Sequence, residues 1–281
     1  MPELERGDAT VSYDVSGDGE PVTLLHGFTL AGRSWMDLVK RMPAGRMWIM
    51  PDLRGHGHTR IAPGAPCTME ACGGDLAAMW DHLGIERSHV VGYSMGGRLA
   101  LHVAVRLPER ARSLLTIGAH GGLAPGAREA RVQADEALAK RIERDGVAEF
   151  VDYWESLPMF EGLARGQALA GELHAIRLAN DPQGLAASLR GMGAGAMEPL
   201  WDALGKINVP STFCAGRDDP GFVESARRLA SAVPGARVEV VGGSGHAVQF
   251  DQPDAMARVL TDHLRRAAPG STTARSSSTR D

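Results

Sequence analysis

The chain has 281 residues, with 34 acidic and 30 Lys or Arg side chains, a formal net charge of −4, and 43% apolar and 23% charged residues. That balance describes a folded chain long enough for one large α/β unit, excludes a disordered polymer, and leaves no global attraction to nucleic acid or anionic membranes. No uncharged run approaches the roughly 18 residues of a membrane span, residues 1–6 lack the basic and apolar parts of a secretory signal, and Cys67, Cys72 and Cys214 form neither a disulfide framework nor a zinc spacing, so a cytoplasmic protein is expected.

In chain order, residues 9–15 alternate, Ser16-Gly17-Asp18-Gly19 turns the chain, and residues 22–25 are apolar, which predicts a hairpin whose second strand ends at His26-Gly27. Residues 47–50 and 89–92 are short, apolar and closed by turn residues, as buried parallel strands are. Between them, residues 74–83 predict an amphipathic helix stopped by Gly84. A helix over residues 97–107 follows, and residues 114–117, 211–214 and 238–241 supply three more strands. The alternation predicts an α/β fold, a mostly parallel sheet flanked by helices, with core residues 1–119 and 204–267. Residues 120–203 break the rhythm with helical patterns at 128–144 and 147–157, so they are expected to form a lid inserted over the sheet's C-terminal edge. Residues 268–281 are low-complexity and expected to be disordered.

Gly92-Tyr93-Ser94-Met95-Gly96 matches G-x-S-x-G, and its setting between a strand and a helix makes it a nucleophile elbow. A serine needs a neighbour to take its proton. His246, in the loop Gly242-Gly243-Ser244-Gly245-His246 after the last strand, is the best placed histidine. His82, His89, His102 and His263 fall within predicted elements and read as structural or solvated; His26, His56 and His58 read as loop braces, with no third ligand to make the H-x-H a metal site. The orienting acid belongs between serine and histidine in the chain, where Arg217-Asp218-Asp219 follows a strand; Asp219 is preferred and Asp218 is its rival. The two backbone donors of an oxyanion hole then fall at Met95 and Phe28. Arg98 lies four residues after Ser94, at a helix N-terminus whose dipole opposes a cation; a pocket-facing guanidinium would be offset by an anionic ligand. Arg131, Trp154 and Arg177 stand on the helical stretches.

The elbow Gly92-Tyr93-Ser94-Met95-Gly96-Gly97-Arg98 resembles that of the alpha/beta hydrolase-fold lyases of menaquinone biosynthesis, the 2-succinyl-6-hydroxy-2,4-cyclohexadiene-1-carboxylate synthases. The resemblance takes in His26-Gly27-Phe28-Thr29, the lid stretches 131–135 and 150–160 with their Trp154-x-x-x-Pro158-x-Phe160, and Gly216–Phe222, and covers nearly all of residues 10–265. It implies a triad of Ser94, Asp219 and His246, and a substrate pocket lined by Tyr93, Arg98, Arg131, Trp154 and Arg177. Departures from the family pattern are Arg54, where the loop often has proline, and Ala247 after the histidine. The implied reaction is elimination of pyruvate from a small poly-carboxylate, 2-succinyl-5-enolpyruvyl-6-hydroxy-3-cyclohexene-1-carboxylate, needing no metal or organic cofactor. The same triad serves hydrolysis of esters or carbon–carbon bonds, which is the rival reading; a ligand receptor on this fold is disfavoured because the whole Ser, Asp and His set is present. A monomer or small homo-oligomer is expected.

Overall fold

The computed structural model describes residues 1–157 and 167–268. Nine strands form one sheet among them: β1 (Glu3–Glu5), β2 (Ala9–Ser16), β3 (Glu20–Leu25), β4 (Arg46–Pro51), β5 (Arg60–Ile61), β6 (Ser88–Tyr93), β7 (Ala111–Ile117), β8 (Ser211–Gly216) and β9 (Arg237–Val241). From β4 onward the order is β4-β3-β6-β7-β8-β9, all parallel, with β2 antiparallel on β4, and β1 and β5 on β2. Along the central strands successive side chains enter opposite layers: Leu25, Val90, Leu114 and Phe213 pack on α2 (Met69–His82), α3 (Met95–Arg106) and α7 (Pro220–Ala232), while Leu24, Val91, Leu115 and Cys214 pack on α1 (Met36–Lys40) and α9 (Pro253–Arg266). Short α8 (Val248–Asp251) precedes α9. Burial on both faces is why these strands are continuous apolar runs.

Two expectations are corrected. Strands β2 and β3 are not a hairpin: β4 lies between them, pairing Ser16 with Trp48 on one side and Glu20 with Arg46 on the other. The Gly17–Gly19 turn therefore crosses the start of β4, so closely that a Cβ on Gly17 would lie 2.5 Å from the Arg46 carbonyl oxygen. Alternation and turn residues mark two strands and a bend, but not a third strand entering between them. Helix α2 begins at Met69, not at residue 74, because Thr68 caps it by accepting from the Ala71 N–H; it ends at Gly84 as expected, with φ +68°.

Between β7 and β8 lies the helical lid: α4 (Pro125–Glu155), α5 (Gln167–Leu178) and α6 (Pro182–Met192). Gly146 (φ 81°, ψ 173°) kinks α4 at the break between the two helical patterns in the sequence. The lid has its own apolar cluster of Ala139, Ile142, Phe150, Leu185, Ala186 and Leu189. Pro158, Met159 and Phe160 of the lid motif, and the tail from residue 269 on, lie outside the described residues. No helix among the described residues is long and apolar enough to cross a membrane.

Beneath the sheet, His89 Nδ1 and His263 Nε2 both meet Ser113 Oγ (2.7 and 2.8 Å), and His263 Nδ1 meets Thr212 Oγ1 at 2.9 Å. Burial pushes each imidazole down to about 3, helped at His89 by Arg46, Arg112 and Arg87 and at His263 by His89 and Arg266; Glu20, 3.3 Å from His89 Nε2, does not reverse this. A histidine held neutral in the folded state and free to protonate near 6.5 when unfolded makes the unfolded chain bind more protons between those values. Stability is therefore expected to fall as pH drops from about 6.5 toward 3, by up to about 1.4 kcal/mol per pH unit per group. Urea unfolding at pH 7 and pH 5 checks this; a His89→Gln/His263→Gln variant with an unflattened pH dependence would refute the assignment to these rings.

Candidate active site

The elbow is built by local sterics. Ser94 sits at φ 52°, ψ −109°, off the allowed regions for a residue with a side chain, held there by its N–H bond to Ile117 O (2.8 Å) and by Arg98 N–H donating to Ser94 O (3.0 Å). Glycines are required on either side: a Cβ on Gly92 would lie 2.1 Å from the Gly96 carbonyl oxygen, and one on Gly96 would lie 2.2 Å from Leu25 O. This is the steric reason for small residues around the serine.

The structure brings Ser94, His246 and Asp219 into one line. His246 lies 3.0 Å from both, Nε2 to Ser94 Oγ and Nδ1 to Asp219 Oδ2. A carboxylate only accepts, so Nδ1 carries the proton and donates it to Asp219, leaving Nε2 to accept from the serine hydroxyl. Asp218 is exposed and bonds the Ser244 carbonyl through its N–H; Asp219 takes the position facing the histidine. Phe222 lies tilted beside the imidazole with ring centroids 4.4 Å apart, and Tyr93 lies at 5.4 Å. A Cβ on Gly118 would meet His246 Cε1 at 2.9 Å, so the loop after β7 presses on the ring as well.

Met95 opens α3, in the first turn that leaves N–H groups without intrahelical partners. Phe28 lies on the loop after β3, whose Thr29 has φ 69°. Behind that loop His26 is a brace, as expected: Leu53 N–H donates to its Nε2 (2.9 Å), and its Nδ1 donates to Gly27 O (2.8 Å). Arg54, the family departure, is buried in ion pairs with Asp75 (2.6 Å) and Asp8 (2.8 Å), which fix its loop without proline. His56 is buried beside Phe28, while His58 is exposed; among the described residues no three His, Cys, Asp or Glu side chains gather as a metal cluster.

A cavity of about 180 Å³ lies between the elbow and the lid, and its walls include Phe28, Tyr93, Ser94, Met95, His246 and all three arginines picked out from the sequence. Arg98 is buried; its Nη1 donates to Met192 O (2.8 Å), and burial, then Arg131, lowers its guanidinium to about 10. Arg131 Nε meets Asp135 Oδ1 at 2.7 Å, and buried Arg177 meets Glu155 Oε1 at 2.7 Å. Two carboxylates thus orient two of three cations, and the set keeps a positive excess, with Arg98 and Arg177 buried and Arg131 exposed. Trp154 stacks on Phe150 (5.6 Å) and meets Phe28 edge-on (5.4 Å), closing the cavity from the lid side.

Two residues of this site escaped the sequence reading. His120, on the loop Gly118–Gly122, lines the cavity. Its signal was a histidine among glycines directly after a strand, at the sheet edge where such folds bind ligands. Asn180, just after α5, donates from Nδ2 to Thr29 O (2.7 Å) and accepts from Gly57 N–H at Oδ1 (2.8 Å). It ties the lid to both loops under Phe28, and nothing local in the sequence marks it.

The sequence profile of the alpha/beta hydrolase fold family matches residues 20–253. A protein of Bacillus subtilis (strain 168), to which 2-succinyl-6-hydroxy-2,4-cyclohexadiene-1-carboxylate synthase activity is ascribed, is 36% identical over 90% of this chain and 95% of its own length. The 2-succinyl-6-hydroxy-2,4-cyclohexadiene-1-carboxylate synthase of Klebsiella pneumoniae (strain 342) is 30% identical over 91% of this chain and 98% of its own. Among solved structures, MenH from S. aureus superposes with a TM-score of 0.87 at 25% identity, covering 91% of this chain and 98% of that one. A thermophilic esterase from Thermogutta terrifontis with malate bound gives 0.84 at 26% identity, covering 95% and 99%.

Proposed function

The chain belongs to the 2-succinyl-6-hydroxy-2,4-cyclohexadiene-1-carboxylate synthase family within the alpha/beta hydrolase fold, and from that premise we propose how its residues eliminate pyruvate from 2-succinyl-5-enolpyruvyl-6-hydroxy-3-cyclohexene-1-carboxylate. Ser94 Oγ takes the proton from the ring carbon that bears the succinyl group, while its own proton passes to His246 Nε2, which Asp219 holds in the right tautomer. The negative charge gathers on the succinyl carbonyl oxygen, met by the N–H groups of Met95 and Phe28. The electron pair then returns, the ring double bond shifts, and the carbon–oxygen bond to the enolpyruvyl group breaks. The departing enolate takes a proton at its methylene carbon and becomes pyruvate, the proton held by His246 closing the balance. Arg98, Arg131 and Arg177 hold carboxylates, each charge-assisted contact adding about 1.5–3 kcal/mol.

The single observation that supports this reading over plain ester hydrolysis is three arginines around a triad-bearing cavity. Purified protein given the enolpyruvyl substrate is expected to release pyruvate well above an enzyme-free control. Absence of release, together with an acyl-enzyme trapped from a carboxylate-bearing ester, would replace the lyase reading with the hydrolase one, which the malate-bound esterase neighbour favours.

Arg98→Ala separates the two as well. It removes a buried cation from the cavity wall, so KM for the poly-carboxylate should rise about 10- to 100-fold while cleavage of a small neutral ester stays within a few-fold. Equal losses on both substrates, at an unchanged melting temperature, would remove Arg98 from the carboxylate site. A small poly-carboxylate is thus the proposed partner, the protein acts in the cytoplasm in this reading, and no metal or organic cofactor enters the mechanism.

A further inference from the structure

His120 has no part in the mechanism above, yet its ring lines the same cavity as Ser94, His246, Arg98 and Arg131. Gly122 N–H donates to its Nδ1 at 3.0 Å. A ring nitrogen that accepts carries no proton, so the hydrogen of the neutral ring is on Nε2, and that atom meets no acceptor among the described residues. The arrangement is rigid. A Cβ on Gly122, at φ +117°, would lie 2.5 Å from Pro199 Cα, and Trp201 Nε1 donates to Gly122 O at 3.0 Å, so the N–H that fixes the imidazole is itself fixed. The nearby Arg98, Arg131 and His246 act with burial to keep the ring uncharged, at a pKa of about 3. Phe222 stands beside both imidazoles, 4.4 Å from the His246 ring and 6.4 Å from the His120 ring, so His120 is a group apart from the triad.

We propose that His120 Nε2–H is a neutral hydrogen-bond donor to the substrate carboxylate that Arg98 and Arg131 neutralise, and that it sets selectivity at that end of the cavity. The inference rests on the poly-carboxylate reading of the site. A carboxylate offers about four lone-pair positions, more than two guanidinium groups need occupy. A third cation there would be repelled by the first two, whereas a neutral N–H fills the remaining acceptor position at no electrostatic cost.

The test uses succinate and pyruvate as probes of binding and the enolpyruvyl substrate as the probe of turnover. In the wild type, titration with succinate should move the ¹⁵N–¹H resonance of His120 Nε2, with the ring remaining in this tautomer throughout. His120→Leu should weaken succinate binding and raise KM about tenfold or more, with kcat within about threefold. His120→Gln, whose side-chain amide carries a donor to nearly the same place, should restore both to within about threefold, which a merely structural role for the ring would not predict. Succinate binding by His120→Leu equal to wild type, an unmoved Nε2 resonance, or equal loss in the Gln and Leu variants at unchanged melting temperature overturns the proposal. If His120→Leu does not fold, the resonance and the Gln variant decide it. A wild type that moves the Nε2 resonance with succinate but releases no pyruvate would support this donor and overturn the lyase assignment. An unchanged KM for pyruvate release in a folded His120→Leu would overturn the donor alone.

Discussion

Ser94→Ala is expected to lower pyruvate release by about 10³- to 10⁴-fold while succinate still binds within a few-fold of wild type. Among the described residues the Ser94 hydroxyl is the group hydrogen-bonded to His246 Nε2, 3.0 Å away, and general base catalysis contributes about 10²- to 10⁴-fold. The arginines proposed to hold carboxylates are untouched: Arg98 hangs on Met192 O, Arg131 on Asp135 and Arg177 on Glu155, none of them through Ser94. The imidazole also keeps its bond to Asp219, so its tautomer persists. Coupling pyruvate release to lactate formation reads the rate, and a dicarboxylate titration reads binding. Retention of more than a tenth of the activity would assign the proton to another base.

Gly96→Ala is expected to cost at least about 3 kcal/mol of stability or prevent folding. The added carbon would lie 2.2 Å from Leu25 O and 2.5 Å from His26 O, and all the nearest atoms are backbone at the end of central strand β3 and the residue after it. Relief would require moving α3 from β3, and with it the Met95 N–H from the Phe28 loop. Gly126→Ala is the matching control: it lies in the first turn of α4 with nothing within 4 Å, and should change stability by less than about 1 kcal/mol. Thermal unfolding of the two variants side by side tests the contrast. A Gly96→Ala protein melting near the wild type would mean that the elbow is far more compliant than its contacts imply.

The parts of this molecule legible in its sequence are those fixed by neighbours in the chain. The elbow is a strand, a turn and a helix in succession, and its glycines sit within four residues of the serine, so the pattern could be recognised from Gly92 to Arg98 alone. Gly84 marks a helix end for the same reason, and the gap between the two lid patterns coincides with the kink at Gly146. The predicted start of α2 falls late because Gly74-Asp75 looks like a helix beginning, whereas the cap at Thr68 lies six residues earlier. The hairpin failed on a longer scale: whether β2 meets β3 or β4 depends on residues 46–51, beyond the reach of any turn rule. In the site, Asp219 and His246 were found by chain order, but the placement of Arg131 and Arg177 could be inferred only from resemblance, since helical periodicity does not say which side of a lid faces inward. His120 acquires its meaning from one backbone N–H two residues on and from arginines on two other elements.

Asn180 carries a consequence for the lid. Its amide joins the end of α5 to Thr29 O and to Gly57 N–H, and Thr29 directly follows the residue whose N–H would meet the developing oxyanion. Any displacement that lifts α5 must break these bonds or drag Thr29 with it, so lid movement would disturb the loop proposed to supply an oxyanion-hole donor.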